Sequence, residues 1–468
     1  MEKPSTALHR PRDTRQHRLL AVLILLAMFA TACSQDFVDS ATEAAAVSSE
    51  SGADAFAEAE AAGDDSGETA ELFEESAMED DEAMEDDSGE ADGEALAPSD
   101  GSESEGSEPS PIPRPGLLTA GDIDDHLNFD FFTSILTDWQ QENSFPRMPL
   151  DDRIVIDIVG DNEVGVGNIS LTVSDGDNVA NVVTNSAGRA HLFPAWMGLD
   201  AANRFTVTSE AGTFAISAGQ QDVRFVADEA DTTPPGSLDV ALVLDVTGSM
   251  ADELAFLTAE FDGIVARLDA DYPNVDKRYA LVVYRDEGPD EDFVTRTFDF
   301  TDEVGDLRSD LADQRADGGG DFPEAMDAAL AQAQELSWSE GSDVARVLVL
   351  NADAPPHAAN TERTLEIAGE LGETGVRIYP LAASGVDRGA EFLMRAMALR
   401  TGGRHLFLTS DSGIGGARLD PRAQCYDVTG LDDLLYRVLA SELAGERIEP
   451  APEQILRTVG QIDRGVCA

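Results

Sequence analysis

Basic side chains are scarce. Only 31 Lys and Arg stand against 92 Asp and Glu, for a formal net charge of −61. A nucleic acid binder needs a cationic face to displace counterions, so that class is excluded, and an anionic lipid surface would repel the chain. Between Gln35 and Pro113 there is no Lys or Arg at all, while 27 Asp and Glu fall there. The same tract is too poor in aromatic and β-branched residues to bury a core, which predicts a disordered acidic linker over 33–116, ending in a Pro-rich run. As a flexible coil of about 80 residues it would span roughly 50 Å, and further under charge repulsion. Long apolar runs are missing too: Leu19–Ala32 is too short to cross a bilayer comfortably. With six histidines and three cysteines, no His-rich zinc shell and no Ser-His-Asp or Cys-His arrangement stands out.

The N-terminus has the order of a targeting segment. Arg10, Arg12, Arg15 and Arg18 precede the apolar stretch, which runs into Ala30-Thr31-Ala32-Cys33. That sequence resembles the lipobox of bacterial lipoproteins. The resemblance implies a signal peptide at 1–32, acylation of Cys33 and placement in the cell envelope, at the outer membrane or cell surface, with lipid as the only membrane contact. An ordinary secretory signal ending at Ala32 is the alternative. Cys425 and Cys467 then remain as an even pair in an oxidising compartment, where a disulfide is expected and two buried thiols are the alternative.

The rest divides by pattern. Leu117–Leu150 reads as a short helical segment, with Asp130–Trp139 as its helix. The acidic Leu118–Asp125 stretch invites a calcium reading but lacks the glycine and glutamate of a calcium-binding loop, so a capped helix start is expected. Over 151–228, seven short runs such as Ile154-Val155-Ile156 and Phe205-Thr206-Val207-Thr208 alternate with Gly, Asn and Asp, which predicts a small β-sandwich of structural role. Its turn Thr184–Ala190 is similar to those of immunoglobulin-like or carboxypeptidase-regulatory-like modules. From 238 to 445 apolar strands interleave with helices, as in a mostly parallel sheet covered on both faces. Residues 446–468 read as a tail.

In such a sheet ligands gather beyond the C-terminal strand ends. Three polar loops compete for that edge: Asp245-Val246-Thr247-Gly248-Ser249, Gly318-Gly319-Gly320-Asp321-Phe322-Pro323-Glu324, and Asp353-Ala354-Pro355-Pro356-His357. Hydroxyls and carboxylates in that number suit a hard divalent cation, Mg²⁺, or Ca²⁺ or Mn²⁺. The Asp-x-Thr-x-Ser run resembles the metal-ion-dependent adhesion site of von Willebrand factor type A (vWA) domains. The other two loops, with Tyr284-Arg285-Asp286, are similar to a hemicentin-like and bacterial subgroup. The resemblance implies a multidomain chain whose 238–445 part is a doubly wound, Rossmann-like α/β domain. It implies metal binding by Thr247 and Ser249 through their hydroxyls, and by Asp245 and Asp353 directly or through water. Asp321 is the loop-two candidate and Glu324 the second, while a helix N-terminal role is the bland alternative for both. Neutral hydroxyl ligands leave the cation electrophilic, so an acidic side chain of a partner protein can complete its coordination. This implies an adhesion or scaffold module and not an enzyme. Two other readings stay open: a metal-assisted hydrolase with His357 as base, and a structural envelope component whose metal only stabilises the fold.

Overall fold

A computed structural model describes residues 118–143, 145–227, 234–320, 322–412 and 418–468. The signal segment 1–32, Cys33 and the acidic linker 33–116 lie outside the described residues, as does Asp321. In chain order the first elements are β1 (Thr119–Ile123) and α1 (Phe129–Asn143). Seven short strands follow: β2 (Ile154–Gly160), β3 (Ser170–Ser174), β4 (Val179–Val183), β5 (Arg189–Leu192), β6 (Phe205–Ser209), β7 (Gly212–Ile216) and β8 (Asp222–Ala227). Then come β9 (Ser237–Asp245), α2 (Ala251–Asp271), β10 (Asp276–Tyr284), β11 (Thr295–Thr301), α3 (Val304–Ala312), α4 (Met326–Gln334) and β12 (Val344–Ala352). The chain continues through α5 (Thr361–Glu373), β13 (Val376–Ala382), α6 (Arg388–Thr401), β14 (His405–Thr409), β15 (Tyr426–Gly430) and α7 (Leu431–Ala444). It closes on β16 (Arg457–Val459), β17 (Ile462–Asp463) and β18 (Val466–Cys467).

Nine of these strands form one mixed sheet in the order β11-β10-β9-β12-β13-β14-β1-β15-β16. Strands β10, β9, β12, β13 and β14 run parallel, and antiparallel strands flank them on both sides. The central strands are apolar without interruption because helices cover both faces. Residues alternate between two cores: Val243, Leu348 and Leu350 pack with α1, α4, α5 and α6, while Leu242, Leu244 and Val349 pack with α2, α3 and α7. Each such Leu or Val contributes roughly 1.5–3 kcal/mol by leaving water.

Two expected boundaries are corrected. The segment 117–150 is not a separate piece: Thr119–Ile123 is an inner strand between β14 and β15, buried at all five positions. Gly121 is required there, since a Cβ would lie 2.7 Å from Phe407 Cζ. In place of a calcium loop, Asp122 and Asp125 are held by arginines, while Asp124 Oδ1 accepts from the His126 and Leu127 amides and caps the turn that leads into α1, as expected. Asp122 meets Arg404 and Arg447, each at 2.8 Å. Burial alone would raise the Asp122 pKa, but Arg447, then Arg404 and Arg437, outweigh it and hold the carboxyl well below its usual range. The helix that follows covers the sheet, with Trp139 edge-on to Phe392. The presumed tail, 446–468, belongs to the same domain. Strand β16 extends the sheet beside β15, β17 and β18 form a hairpin, and the disulfide Cys425–Cys467 ties that hairpin down. On freshly purified protein, alkylation without reductant should therefore label neither Cys425 nor Cys467. Two labelled sites in intact-mass spectra would reject the bridge in solution.

Strands β2 to β8 are thus an insertion between β1–α1 and β9. They make two sheets, β5-β2-β8 and β4-β3-β6-β7, around a core of Ile156, Ile158, Leu171, Val173, Leu192, Phe205 and Val207. The turn into β5 is set by Asn185, whose Oδ1 accepts from the amides of Ala187 and Arg189. The insertion touches the large domain through buried polar contacts. The Arg377 guanidinium donates to Asn168 Oδ1 at 2.8 Å and to the Thr184 carbonyl at 2.6 Å, and pairs with Glu442 at 3.2 Å.

Candidate functional site

Strand β9 ends at Asp245, and the next turn carries Thr247 and Ser249. The Thr247 amide and hydroxyl both donate to Asp245 Oδ1, at 2.9 and 2.7 Å. Thr247 Oγ1 lies 3.3 Å from Ser249 Oγ. Oδ1 of Asp245 is thereby occupied, while Oδ2 is buried and has no hydrogen-bond partner of good geometry.

Loop two lies directly on loop one. The Asp317 amide donates to Val246 O, and the Gly248 amide to Gly318 O. Gly318 and Gly319 have φ of 79° and 90°, a region that disfavours side chains. A Cβ on Gly319 would stand 2.7 Å from Thr247 Cβ and 2.8 Å from Glu324 Oε1. The glycine run is what lets the two loops and Glu324 converge. Glu291 holds it by accepting from the Gly319 amide at 2.7 Å, and Arg285 approaches Glu291 at 3.6 Å.

Loop three leaves β12 at Ala352. Asp353 is buried, and its carboxyl interacts with the Ser249 hydroxyl. The Glu324 amide donates to Pro355 O at 3.0 Å, which ties loops two and three together. Glu324 is not a helix-terminal residue: α4 begins at Met326, and the glutamate is 3% exposed with Oε2 unpartnered. His357 Nε2 lies 2.6 Å from Asp286 Oδ1. Glu253, buried at the start of α2, accepts from the Ser384 hydroxyl at 2.7 Å.

Asp245, Thr247, Ser249, Asp353 and Glu324 are therefore brought to one edge; the fifth expected ligand, Asp321, is outside the described residues. Glu291, Tyr284 and Glu253 also belong to this neighbourhood. Nothing in their local sequence marks Glu291 or Glu253, which act through backbone amides and hydroxyls far along the chain.

The electrostatics of this cluster are costly. Burial, with Asp353 nearby, pushes the Asp245 carboxyl up to about 7. Burial and then the charges of Asp245, Asp286, Asp353 and Glu291 push Glu324 up to about 9. Asp353 is raised as well, first by burial and then by Glu253. Unpartnered carboxylate oxygens crowded in a dry site are what a hard cation relieves. Among the described residues no three His, Cys, Asp or Glu side chains form a cage of their own; the other oxygens at this edge are the Thr247 and Ser249 hydroxyls.

One family match bears on the large domain. Residues 239–390 match the von Willebrand factor A domain family, so the chain carries a domain of that kind. One relative, the putative ariadne-like RING finger protein R811 of Acanthamoeba polyphaga mimivirus, is 27% identical over 191 residues. That alignment spans 37% of this chain and only 18% of the relative. Two solved structures share segments. The conserved hypothetical protein BatB from Bacteroides thetaiotaomicron is 15% identical, with 44% of this chain and 98% of that one covered and a TM-score of 0.31. Proximal thread matrix protein 1 from the mussel byssus is 18% identical, with 36% and 40% covered and a TM-score of 0.28. A vWA domain points in general to protein–protein interaction or adhesion.

Proposed function

We propose that this chain binds a partner protein through a divalent cation held at the loop edge of its vWA domain, and that it is not an enzyme. The observation that carries this reading is the meeting of Asp245, Thr247, Ser249, Asp353 and Glu324 on one edge, where buried Asp245 meets only the neutral donors of Thr247 and Tyr284 and Glu324 Oε2 has no partner. Thr247 and Ser249 would hold the cation through hydroxyls, and Asp245 and Asp353 directly or through water. Asp321 or Glu324 would supply the loop-two oxygen. Mg²⁺ fits this set best, with Ca²⁺ and Mn²⁺ as alternatives. Bound there, the cation supplies an electrophilic position for a partner's carboxylate. The hydrolase alternative asks His357 to act as a base; its Nε2 lies 2.6 Å from Asp286 Oδ1, a pairing that role would also use, so turnover of an ester substrate in Mg²⁺ is what would favour that alternative. Envelope proteins should be captured by the full chain in Mg²⁺, released by EDTA, and not captured by Asp245→Asn. Capture that ignores both EDTA and the substitution would sink the reading.

The chain's location is a second part of the proposal. Among the described residues no helix is long and apolar enough to cross a membrane. The lipobox-like Ala30–Cys33 run supports a lipid on Cys33 as the anchor, with the acidic linker holding the folded part away from the membrane. The insertion, read as an immunoglobulin-like or carboxypeptidase-regulatory-like module, would serve as a spacer. Metabolic labelling with a palmitate analogue should mark the wild type and not Cys33→Ser; equal labelling of both would refute the anchor.

A further inference from the structure

Two histidines meet where the inserted module touches the large domain. His126 comes from the turn between β1 and α1, and His191 from β5. Their rings stack at 3.6 Å between centroids and 10° between planes. Phe193 and Phe129 continue the aromatic cluster. Both nitrogens of His126 and Nδ1 of His191 are buried without a hydrogen-bond partner of good geometry. Parallel rings in face contact cannot aim their lone pairs at one metal ion, so the pair is not a chelate.

The surroundings do not favour a second charge. From the large domain, Asp124 faces His126, and the backbone of Leu399 on α6 lies beside it. From the module, Arg153 and Arg189 face both rings. Arg153 donates to the His126 carbonyl at 3.3 Å, and Arg189 is paired with Asp157 at 2.8 Å. Arg377 and Arg400 line the small space around His191. One acid thus favours charge on His126, while several guanidinium groups oppose it.

We propose that the His126–His191 stack is an acid-sensitive latch between the inserted module and the large domain. The two rings dock as neutral, flat apolar surfaces; a proton on either would place a cation against its stacked neighbour in a buried seam already edged by arginines. Burial first, then nearby cations, lowers the affinity of both docked rings for protons, to about 4 for His126 and well below the ordinary value for His191. Separated, hydrated rings take protons near 6.5. Docking is therefore fully supported above pH 6.5 and is weakened as pH falls from there toward 4, because the separated form binds protons that the docked form refuses. The module stays covalently attached through both of its linkers, so the change is an opening and not a dissociation.

Hydrogen exchange on the full chain tests this. After correction for intrinsic rates, peptides 186–193 and 394–402 should exchange about tenfold faster at pH 5 than at pH 7.5, while strand peptides 240–244 and 347–350 should not change. The double variant His126→Phe/His191→Phe should keep the stack and lose the acceleration. Acceleration of equal size in the variant, or none in the wild type, would overturn the latch. If the variant does not fold, imidazole NMR of the wild type decides. Both rings should stay neutral at pH 6; a ring of this pair titrating near 6.5 while the seam remains protected would overturn it too.

Discussion

Magnesium should raise the melting temperature of the wild-type chain and leave Asp245→Asn unmoved. Asparagine keeps an oxygen to accept from the Thr247 amide and hydroxyl, so loop one holds its shape and only the charge is lost. At a hundredfold excess over its dissociation constant, a ligand that binds only the folded state adds about 2.7 kcal/mol. For a domain of this size that is a shift of several degrees. The pH dependence has a definite sign. The Asp245 carboxyl titrates near 7 in the fold and near 3.8 when exposed, so the metal-free fold holds a proton that the unfolded chain releases. Stability in EDTA should fall as pH rises from about 4 to 7, by at most on the order of 4 kcal/mol from this group. Asp245→Asn should lose this group's share of the decline, leaving the part that the raised Glu324 and Asp353 contribute. The Mg²⁺ shift of the wild type should grow over the same interval, since the cation displaces the proton. Equal Mg²⁺ shifts in both proteins would put the cation elsewhere, and the acidic linker would be the first place to look.

Arg395→Met should strongly destabilise the large domain. The Arg395 guanidinium is 0% exposed and makes a two-point contact with Asp125, at 2.8 and 2.5 Å, while Nη1 reaches Glu391 at 3.3 Å and the Arg422 carbonyl at 2.8 Å. Burial already raises the Asp125 pKa against the pull of this arginine. Methionine matches much of the volume but leaves buried Asp125 without its cation, while Glu391 keeps Arg388 at 2.5 Å. Breaking such a pair from one side costs about 3–5 kcal/mol, which chemical denaturation would read as a lower midpoint at unchanged slope. A loss under 1 kcal/mol would mean that Asp125 finds a proton or water at little cost.

That arginine also shows where sequence reading stops. The strands around Val240–Leu244 and Val347–Leu350 are legible because an unbroken apolar run needs no distant partner to make sense. Loop one is legible for the same reason: Asp245, Thr247 and Ser249 act within five residues of one another. Thr119–Ile123 is not, because a Gly and an Asp inside five residues read as a turn. The Gly is demanded by Phe407 and the Asp is neutralised by Arg404 and Arg447, all far along the chain. Glu324 is a related case. Beside Pro323 it reads either as a second loop-two ligand or as a helix start, and its burial among Asp245, Asp286 and Asp353 puts its carboxyl in the loop cluster. The closing strands were hidden by brevity, since β16 to β18 are two or three residues each and hold their place through β15 and the disulfide.

The placement of β1 also sets a timetable for synthesis. Thr119 pairs with Thr409 and Gly430, so an early strand waits for partners some 290 residues later. Until they emerge, β1 carries unpaired edges and α1 has no finished sheet to cover. Loop closure over that span comes before its reward, which slows folding and prolongs exposure of sticky edges. The intervening module closes on its own core and can form in the meantime. A chain cut short before Gly430 would therefore be a ready target for proteases and for aggregation, whereas the longer chain covers its first described strand once β14 and β15 are made.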